Sequence, residues 1–469
     1  MSTTSSLSAS ERIMDLLDDN SFVEIGGLVE ARNTDFNLSK KETPADGVVT
    51  GYGLINDKLV YVYSQNVSVL GGAIGEMHAK KIVRIYDMAL KMGAPVIGLI
   101  DCAGLRLEEA TDALNAFAKI YRRQALASGV IPQICAVFGN CGGGASVMTS
   151  LCDFTYMTND AHLFVNSPNV LDGNNISKND TSSLEFQKSK TMNVDFEGTE
   201  EEVLQNIREL VDIIPANNED DLSYEETNDD PNRVCEGIDG NIDDIQELIK
   251  ELSDDNVFVE TKKEYALSAV TGFIRLNGHT VGVIANNSDL LSNEGVQKME
   301  EFVRFLDAFS IPVVTLVNAT GFETTIEEEM ALSKNLAKLA YALSIATIPK
   351  ISVILNNAFG TPYMVMNSKG LGADMVFAWE NTTIGMMDSE AAVKIIYSKD
   401  IDKATDANVF IAEKTKEYRE LESSANQAAK RGYVDSIISP EDTRKYLIGT
   451  LEMLYTKRDF IYDKKHGTV

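Results

Sequence analysis

The chain is short of the side chains that most often carry acid–base or metal chemistry. Its four histidines, His78, His162, His279 and His466, are scattered without ligand spacing, which argues against a histidine-based metal site or triad. Five cysteines, an odd number, include no CxxC pair. Neither a disulfide framework nor a structural zinc is therefore expected, and a reduced, cytoplasmic setting fits best. No apolar run reaches the roughly 18 residues that would suggest a membrane span. The start, Met1-Ser2-Thr3-Thr4-Ser5-Ser6, lacks the basic and apolar stretches of a secretory leader. A Walker loop is missing, and no GxGxxG follows a strand pattern. Positive charge is scarce as well: 42 Lys and Arg against 71 Asp and Glu give a net charge of −29, which argues against nucleic acid or an anionic membrane as main partner. Residues 171–260 hold 26 acidic and 6 basic side chains. They read as a solvated, partly flexible surface segment, or as an electrostatic docking surface for a basic partner protein.

What the chain does contain is a duplication. Thr50-Gly51-Tyr52 with Asn56, Gly93-Ala94-Pro95-Val96-Ile97 and Val130-Ile131-Pro132-Gln133-Ile134 lead into Gly142-Gly143-Gly144-Ala145. Thr271-Gly272-Phe273 with Asn277, Ser310-Ile311-Pro312-Val313-Val314 and Thr347-Ile348-Pro349-Lys350-Ile351 lead into Gly360-Thr361-Pro362-Tyr363. The offset between matched positions stays at 217 to 221 residues. A chain of this length exceeds one core, and the repeat divides it at about 240/241, with an acidic connector at 171–240. Strand patterns at 47–54, 58–64, 95–101 and 131–138 alternate with helical patterns at 75–92 and 108–128, which predicts α/β layers. A helix is expected over 10–30, one helical island at 200–214 within the connector, and a helical extension over 407–431 and 440–459.

Each copy ends in a small-residue turn after a buried strand. Glycines there let backbone N–H groups approach a ligand, and a following helix adds its dipole. Close packing of helix on strand makes the same demand, and spacing alone leaves both readings open. The run Asp101 to Glu109 lines a pocket or is an ordinary capped helix start. Lys80, Lys81 and Arg84 form a basic patch suited to phosphates, or a solvated helix face. Lys91, in Ala89-Leu90-Lys91-Met92, reads as a cation at a helix C-terminus.

With these segments on the page, the chain resembles the carboxyltransferase subunits of biotin-dependent enzymes. The matching residues include Asp46-Gly47-Val48-Val49-Thr50-Gly51, Gly71-Gly72-Ala73, His78-Ala79-Lys80-Lys81-Ile82, Gly142-Gly143-Gly144-Ala145, Arg275-Leu276-Asn277-Gly278, Arg431-Gly432-Tyr433-Val434-Asp435 and Thr443-Arg444. The resemblance implies two crotonase-like β-β-α superhelix domains related by duplication. It implies sites formed between the N-half of one subunit and the C-half of another, usually in a dimer-based hexamer. It implies that carboxylate passes between carboxybiotin on a separate carrier protein and the α-carbon of a short acyl-CoA, with no metal. Backbone amides matching Gly143 and Gly144 would hold the acyl-CoA enolate, and those matching Thr361 and Pro362 the biotin ureido oxygen. Since Pro362 has no N–H, the second donor pair is expected to shift to Gly360 and Thr361. Gly71, Gly72, Ala73, Gly104, Pro362 and Met364 are the substrate-binding candidates, and Lys80, Lys81 and Arg84 those for the CoA phosphates. Met364 replaces an aspartate common in propionyl-CoA carboxylases, and Lys334-Asn335-Leu336 replaces an arginine-histidine-glycine. Implied partners are a biotin carboxyl carrier protein and a biotin carboxylase or a membrane decarboxylase subunit, through which alone the chain would meet a membrane. A biotin-independent crotonase-type hydratase or isomerase is the alternative, with Glu108 and Glu109 as its candidate carboxylates. A non-catalytic assembly scaffold is the third reading.

Overall fold

The computed structural model describes residues 6–33, 41–220, 224–238, 240 and 244–459. They divide into two compact units, Met1–Ser223 and Tyr224–Val469. The first unit contains strands β1 (Val23–Glu24), β2 (Val48–Ile55), β3 (Lys58–Gln65), β4 (Val96–Cys102), β5 (Gln133–Gly142), β6 (Phe154–Thr158), β7 (His162–Phe164) and β8 (Phe196–Gly198). Its helices are α1 (Ala9–Leu16), α2 (Glu76–Met92), α3 (Ala110–Ala127), α4 (Gly144–Ser150), α5 (Leu184–Lys190) and α6 (Glu200–Ile213). The sheet runs β1-β2-β3-β4-β5-β6-β8, with β7 paired to the end of β5. β2 and β3 form a hairpin closed at Ile55↔Lys58. Asn56 and Asp57 both take positive φ there, at 48° and 64°, the conformation a two-residue I′ turn requires. From β3 onward the strands add in parallel, and β4 is buried at every residue, as expected for a strand covered on both faces. Its Val96 and Ile100 join Ile82, Ile85, Phe117 and Ile120 of α2 and α3 in one core.

The second unit repeats this plan with β9 (Phe258–Thr261), β10 (Ala269–Leu276), β11 (His279–Asn286), β12 (Leu290–Leu291), β13 (Val313–Ala319), β14 (Gly321–Phe322), β15 (Lys350–Phe359), β16 (Met375–Trp379), β17 (Thr383–Gly385) and β18 (Ser436–Ile438). Helices α7 (Ile245–Leu252), α8 (Asn293–Ala308), α9 (Ile326–Glu329), α10 (Leu332–Ile345) and α11 (Gly360–Val365) lie among them. The sheet order is β9-β10-β11-β13-β15-β16-β18, and β17 pairs with the end of β15 as β7 does with β5. Equivalence reaches single side chains. Lys81 donates to the carbonyls of Ala45, at 2.8 Å, and Val48. Lys298, 217 residues on, donates to those of Lys262, Tyr265 and Ala269 at 2.8–3.0 Å. Both lysines are buried.

Three expectations are corrected. The first helix ends at Leu16, not near 30, because the Asp18 carboxylate accepts the Asn56 and Asp57 amides of the hairpin turn at 3.2 and 3.0 Å. The connector is more ordered than its composition suggests, containing α5, α6 and the edge strand β8, which pairs with β6. Its far end packs with the second unit, so the division falls earlier than 240/241. Tyr224 bridges to His279, Cys235 lies in the second core, and the Arg233 guanidinium holds Asp229 at 2.8 Å and Glu251 at 3.1 Å. Residues 221–223 and 239 of the connector lie outside the described residues. Among the described residues, no helix is long and apolar enough to cross a membrane.

Candidate active site

Both small-residue turns have the same construction. β5 ends at Gly142 beside Phe164 of β7, Gly143 takes φ +60° and ψ −123°, and α4 begins at Gly144. β15 ends at Phe359 beside Gly385 of β17, Gly360 takes φ +57°, and α11 begins there. A positive φ admits glycine readily and other residues only with strain. The shared geometry fixes the register: Gly143 matches Gly360, Gly144 matches Thr361, and Ala145 matches Pro362. The proline thus occupies the first turn of a helix, where amide groups have no intrahelical acceptor. Gly360 and Thr361 retain both of the N–H groups that Gly143 and Gly144 possess.

The first turn differs from expectation in one donor. The Gly143 N–H already donates to the Phe164 carbonyl at 2.9 Å, so Gly143 and Gly144 are not an open pair. Gly144, first residue of α4, is the better placed amide, and its carbonyl is held by the Tyr121 hydroxyl at 2.6 Å. A Cβ on Gly143 would meet nothing within 4 Å, whereas one on Gly144 would stand 2.9 Å from the Tyr121 oxygen. The space over Gly143 is open to a ligand; the backbone, not crowding, demands the glycine. Neighbouring thiols supply no nucleophile: burial pushes Cys102 up to about 11 and raises Cys141 well above its ordinary value.

The predicted binding residues Gly71, Gly72, Ala73 and Gly104 come together beside this turn. Ala103 N–H donates to Gly71 O, and Ile74 N–H to Gly104 O, both at 2.9 Å. A Cβ on Gly72 would lie 2.2 Å from the Asp101 carbonyl, and one on Gly104 3.9 Å from that of Gly142. The short segment 71–74 is therefore stitched to the end of β4, next to the strand that enters the turn.

Of the basic patch, Lys81 must be withdrawn as a phosphate ligand. Its ammonium is committed to backbone carbonyls, and burial lowers its pKa to about 8. Lys80 is exposed and paired with Glu76 at 2.9 Å. With Arg84, also exposed, it lines a cavity of about 390 Å³ whose wall includes Ile25, Gly26 and Met77. In the second turn Pro362 is buried, while Met364 is 52% exposed. Asn335 donates to Asn293 Oδ1 at 2.8 Å, so it anchors α10 to α8.

Sequence reasoning missed a buried ionic network in the first unit. Arg106, 1% exposed, donates through Nη1 to Asp46 at 2.6 Å and Glu109 at 2.8 Å, and through Nη2 to the Ala73 carbonyl at 2.8 Å. Burial outweighs the guanidinium and lifts the Asp46 carboxyl above its ordinary pKa. Glu109 Oε2 accepts the Glu76 amide at 2.6 Å, which caps α2. Glu108 is paired with Lys41 at 3.2 Å. Glu109 is committed to Arg106 and the Glu76 amide, which leaves the hydratase alternative only Glu108, a partly exposed carboxylate in a surface ion pair. The i, i+3 spacing of Arg106 and Glu109 was the one available signal.

His78 completes the network as a neutral imidazole. Its Nδ1 lies 2.9 Å from Asp46 O and its Nε2 3.2 Å from Gln65 Nε2. A carbonyl can only accept, so Nδ1 carries the proton and Nε2 accepts from the amide. Burial, then Arg106, lowers its pKa to about 3. The unfolded chain binds this proton near pH 6.5 and the folded chain does not, so stability present above 6.5 is lost as pH falls. About 1.4 kcal/mol per pH unit is expected from this group. Urea unfolding between pH 6.5 and 5 should show that extra slope in the native chain and its loss in His78→Asn; equal slopes would refute it.

The model of the family described as carboxyl transferase domain matches residues 3–469. The chain is 38% identical to the carboxyltransferase subunit of propionyl-CoA carboxylase from Haloferax mediterranei, over 99% of this chain and 93% of that one. It is 39% identical, with the same coverage, to methylmalonyl-CoA decarboxylase subunit alpha of Veillonella parvula. Among solved structures, transcarboxylase 12S, a hexamer with methylmalonyl-coenzyme A and methylmalonic acid bound, superposes with a TM-score of 0.94 at 36% identity, covering 98% of this chain and 91% of that one.

Proposed function

The chain belongs to the carboxyl transferase family, and from that premise we propose that it moves carboxylate between biotin on a separate carrier protein and the α-carbon of a short acyl-CoA. It is an acyl-CoA carboxyltransferase with a crotonase-like fold. The observation that carries the finer reading is the pair of equivalent turns, each presenting the first amides of a helix behind a glycine of positive φ. Such amides, with the helix dipole, stabilise an oxyanion as it forms and need no reorganisation. In the proposed mechanism Gly144 N–H binds the developing enolate oxygen of the thioester, and the Gly143 N–H shares its hydrogen bond between that oxygen and Phe164. Segment 71–74 and Gly104 line the approach. Lys80 and Arg84 hold CoA phosphates beside the cavity under α2. Biotin, when bound, supplies the nitrogen that carries the carboxylate. The second turn fits its ureido oxygen: Gly360 and Thr361 present amides, and a Cβ at Gly360 would fill space only 3.1 Å from the Met386 carbonyl. The proposed assembly is a hexamer served by a biotin carrier protein and by a biotin carboxylase or a membrane decarboxylase subunit.

Carboxylate exchange between free biotin derivatives and a panel of acyl-CoAs tests the reading. Exchange with propionyl- or methylmalonyl-CoA is expected, and none with any acyl-CoA, by well-folded protein, would sink it. The register adds a sharper expectation. Pro362→Ala should leave exchange unchanged, because Gly360 and Thr361 already supply the second donor pair. An increase of about 10²-fold would mean instead that the proline has removed a working donor.

A further inference from the structure

The two units repeat a short parallel pairing just before each turn. Ile74 bridges Leu105 in the first unit, and Leu291 pairs with Phe322 in the second, at the same offset of 217 residues. The next amide returns to the same carbonyl in each case: Arg106 N–H to Ile74 O, and Glu323 N–H to Leu291 O, both 3.0 Å. Arg106 and Glu323 are therefore equivalent positions with opposite charge. The partners change too. Glu109 corresponds to Ile326, and Asp46, at the offset of the following strand, to Leu267; both replacements are exposed apolar residues. Among the described residues, the Arg–Asp–Glu lock of the first unit is not repeated at the equivalent positions 323, 267 and 326 of the second.

The lock sits where it constrains the site. Arg106 joins three separate pieces of chain: the Asp46 turn, the Ala73 carbonyl and, through Glu109, the N-terminus of α2. Ala73 lies in the segment stitched to Ala103 and Gly104, and Gly104 approaches the strand end that becomes Gly143 and Gly144. We propose that Arg106 is a positioning residue for the acyl-thioester side of the reaction, holding segment 71–74 in its binding geometry before substrate arrives. The inference rests on the carboxyltransferase reading and goes beyond it by assigning preorganisation to one turn and not to the other. A guanidinium suits the task because its rigid planar fork donates to both carboxylates from Nη1 and to the carbonyl from Nη2 in one fixed geometry. A preformed segment spares the substrate the cost of ordering it, and a displacement of about 1 Å in such a segment can lower the rate about 10²-fold.

The test uses the full-length protein and its carrier. Acyl-CoA binding to the native chain is measured first by calorimetry; no binding would overturn the carboxyltransferase reading and this inference with it. Given binding, Arg106→Met and Arg106→Lys are compared by steady-state kinetics, with circular dichroism reporting the folded fraction. The expected result is a KM for acyl-CoA raised at least about tenfold in Arg106→Met, less in Arg106→Lys, with the KM for carboxylated carrier unchanged. If Arg106→Met does not fold, the same split in Arg106→Lys decides. Unchanged KM values, or both rising together in parallel with loss of folded protein, would overturn the proposal.

Discussion

Replacing Gly144 by proline is expected to lower the rate of carboxylate exchange by about 10²–10³-fold, the usual cost of one oxyanion donor, while the protein stays folded. Proline is well tolerated as the first residue of a helix, where its missing N–H has no intrahelical partner and its φ is already helical, and Gly144 holds that place in α4. The substitution thus removes the donor and leaves the helix. Its ring would press on the Tyr121 hydroxyl, since a Cβ there stands 2.9 Å from that oxygen. The variant is therefore made with Tyr121→Phe, and Tyr121→Phe alone is the reference. The KM for acyl-CoA should move little, because the bond matters most once charge has developed on the oxygen. Retention of the native exchange rate by a folded Gly144→Pro variant would remove this amide from the mechanism.

Arg444→Met is expected to destabilise the second unit by about 3–5 kcal/mol, the range for leaving one partner of a buried ion pair uncompensated. Arg444 is fully buried in the C-terminal helix Thr443–Leu454. Its guanidinium binds the Asp254 carboxylate, lies 3.5 Å from Asp229 and donates to the Asp230 carbonyl at 2.7 Å. Asp254 also accepts the Gly278 amide in the β10–β11 turn at 2.7 Å. A single side chain therefore ties the end of the acidic connector, the hairpin and the last helix together. Methionine fills most of the volume but leaves Asp254 buried without a cation. The urea midpoint should fall accordingly, with faster proteolysis near 229–235. Arg444→Met with Asp254→Asn should recover part of the loss, since the stranded charge is then gone. A loss below about 1 kcal/mol, the range of exposed pairs, would refute the burial argument.

Most of the architecture was legible because it is periodic. The hairpin of β2 and β3, the buried β4 and the helices α2 and α3 follow from alternation, apolar runs and turn residues, and the second unit follows from the repeat. The misses share a cause. The first helix stops at Leu16 because Asp18 serves a turn nearly forty residues away, and the connector is fastened by Arg444, which reaches the Asp230 carbonyl 214 residues back. Charge-rich composition signals solvation only while the charges lack partners. Lys81 looked like a phosphate ligand for the same reason, since nothing local shows that its ammonium ends among the carbonyls of Ala45 and Val48.

The sequence by itself determined the duplication, the α/β class, the family resemblance and the two turns, all of which depend on residue type at regular or repeated spacing. Tertiary structure alone decided which amides are open. It set Pro362 opposite Ala145 and not Gly144, bound the Gly143 N–H to Phe164, and brought Asp46, His78, Arg106 and Glu109 into one buried network. Hydrogen bonds and buried ion pairs are short-ranged and directional, so their partners exist only once distant segments meet; spacing along the chain cannot supply that information.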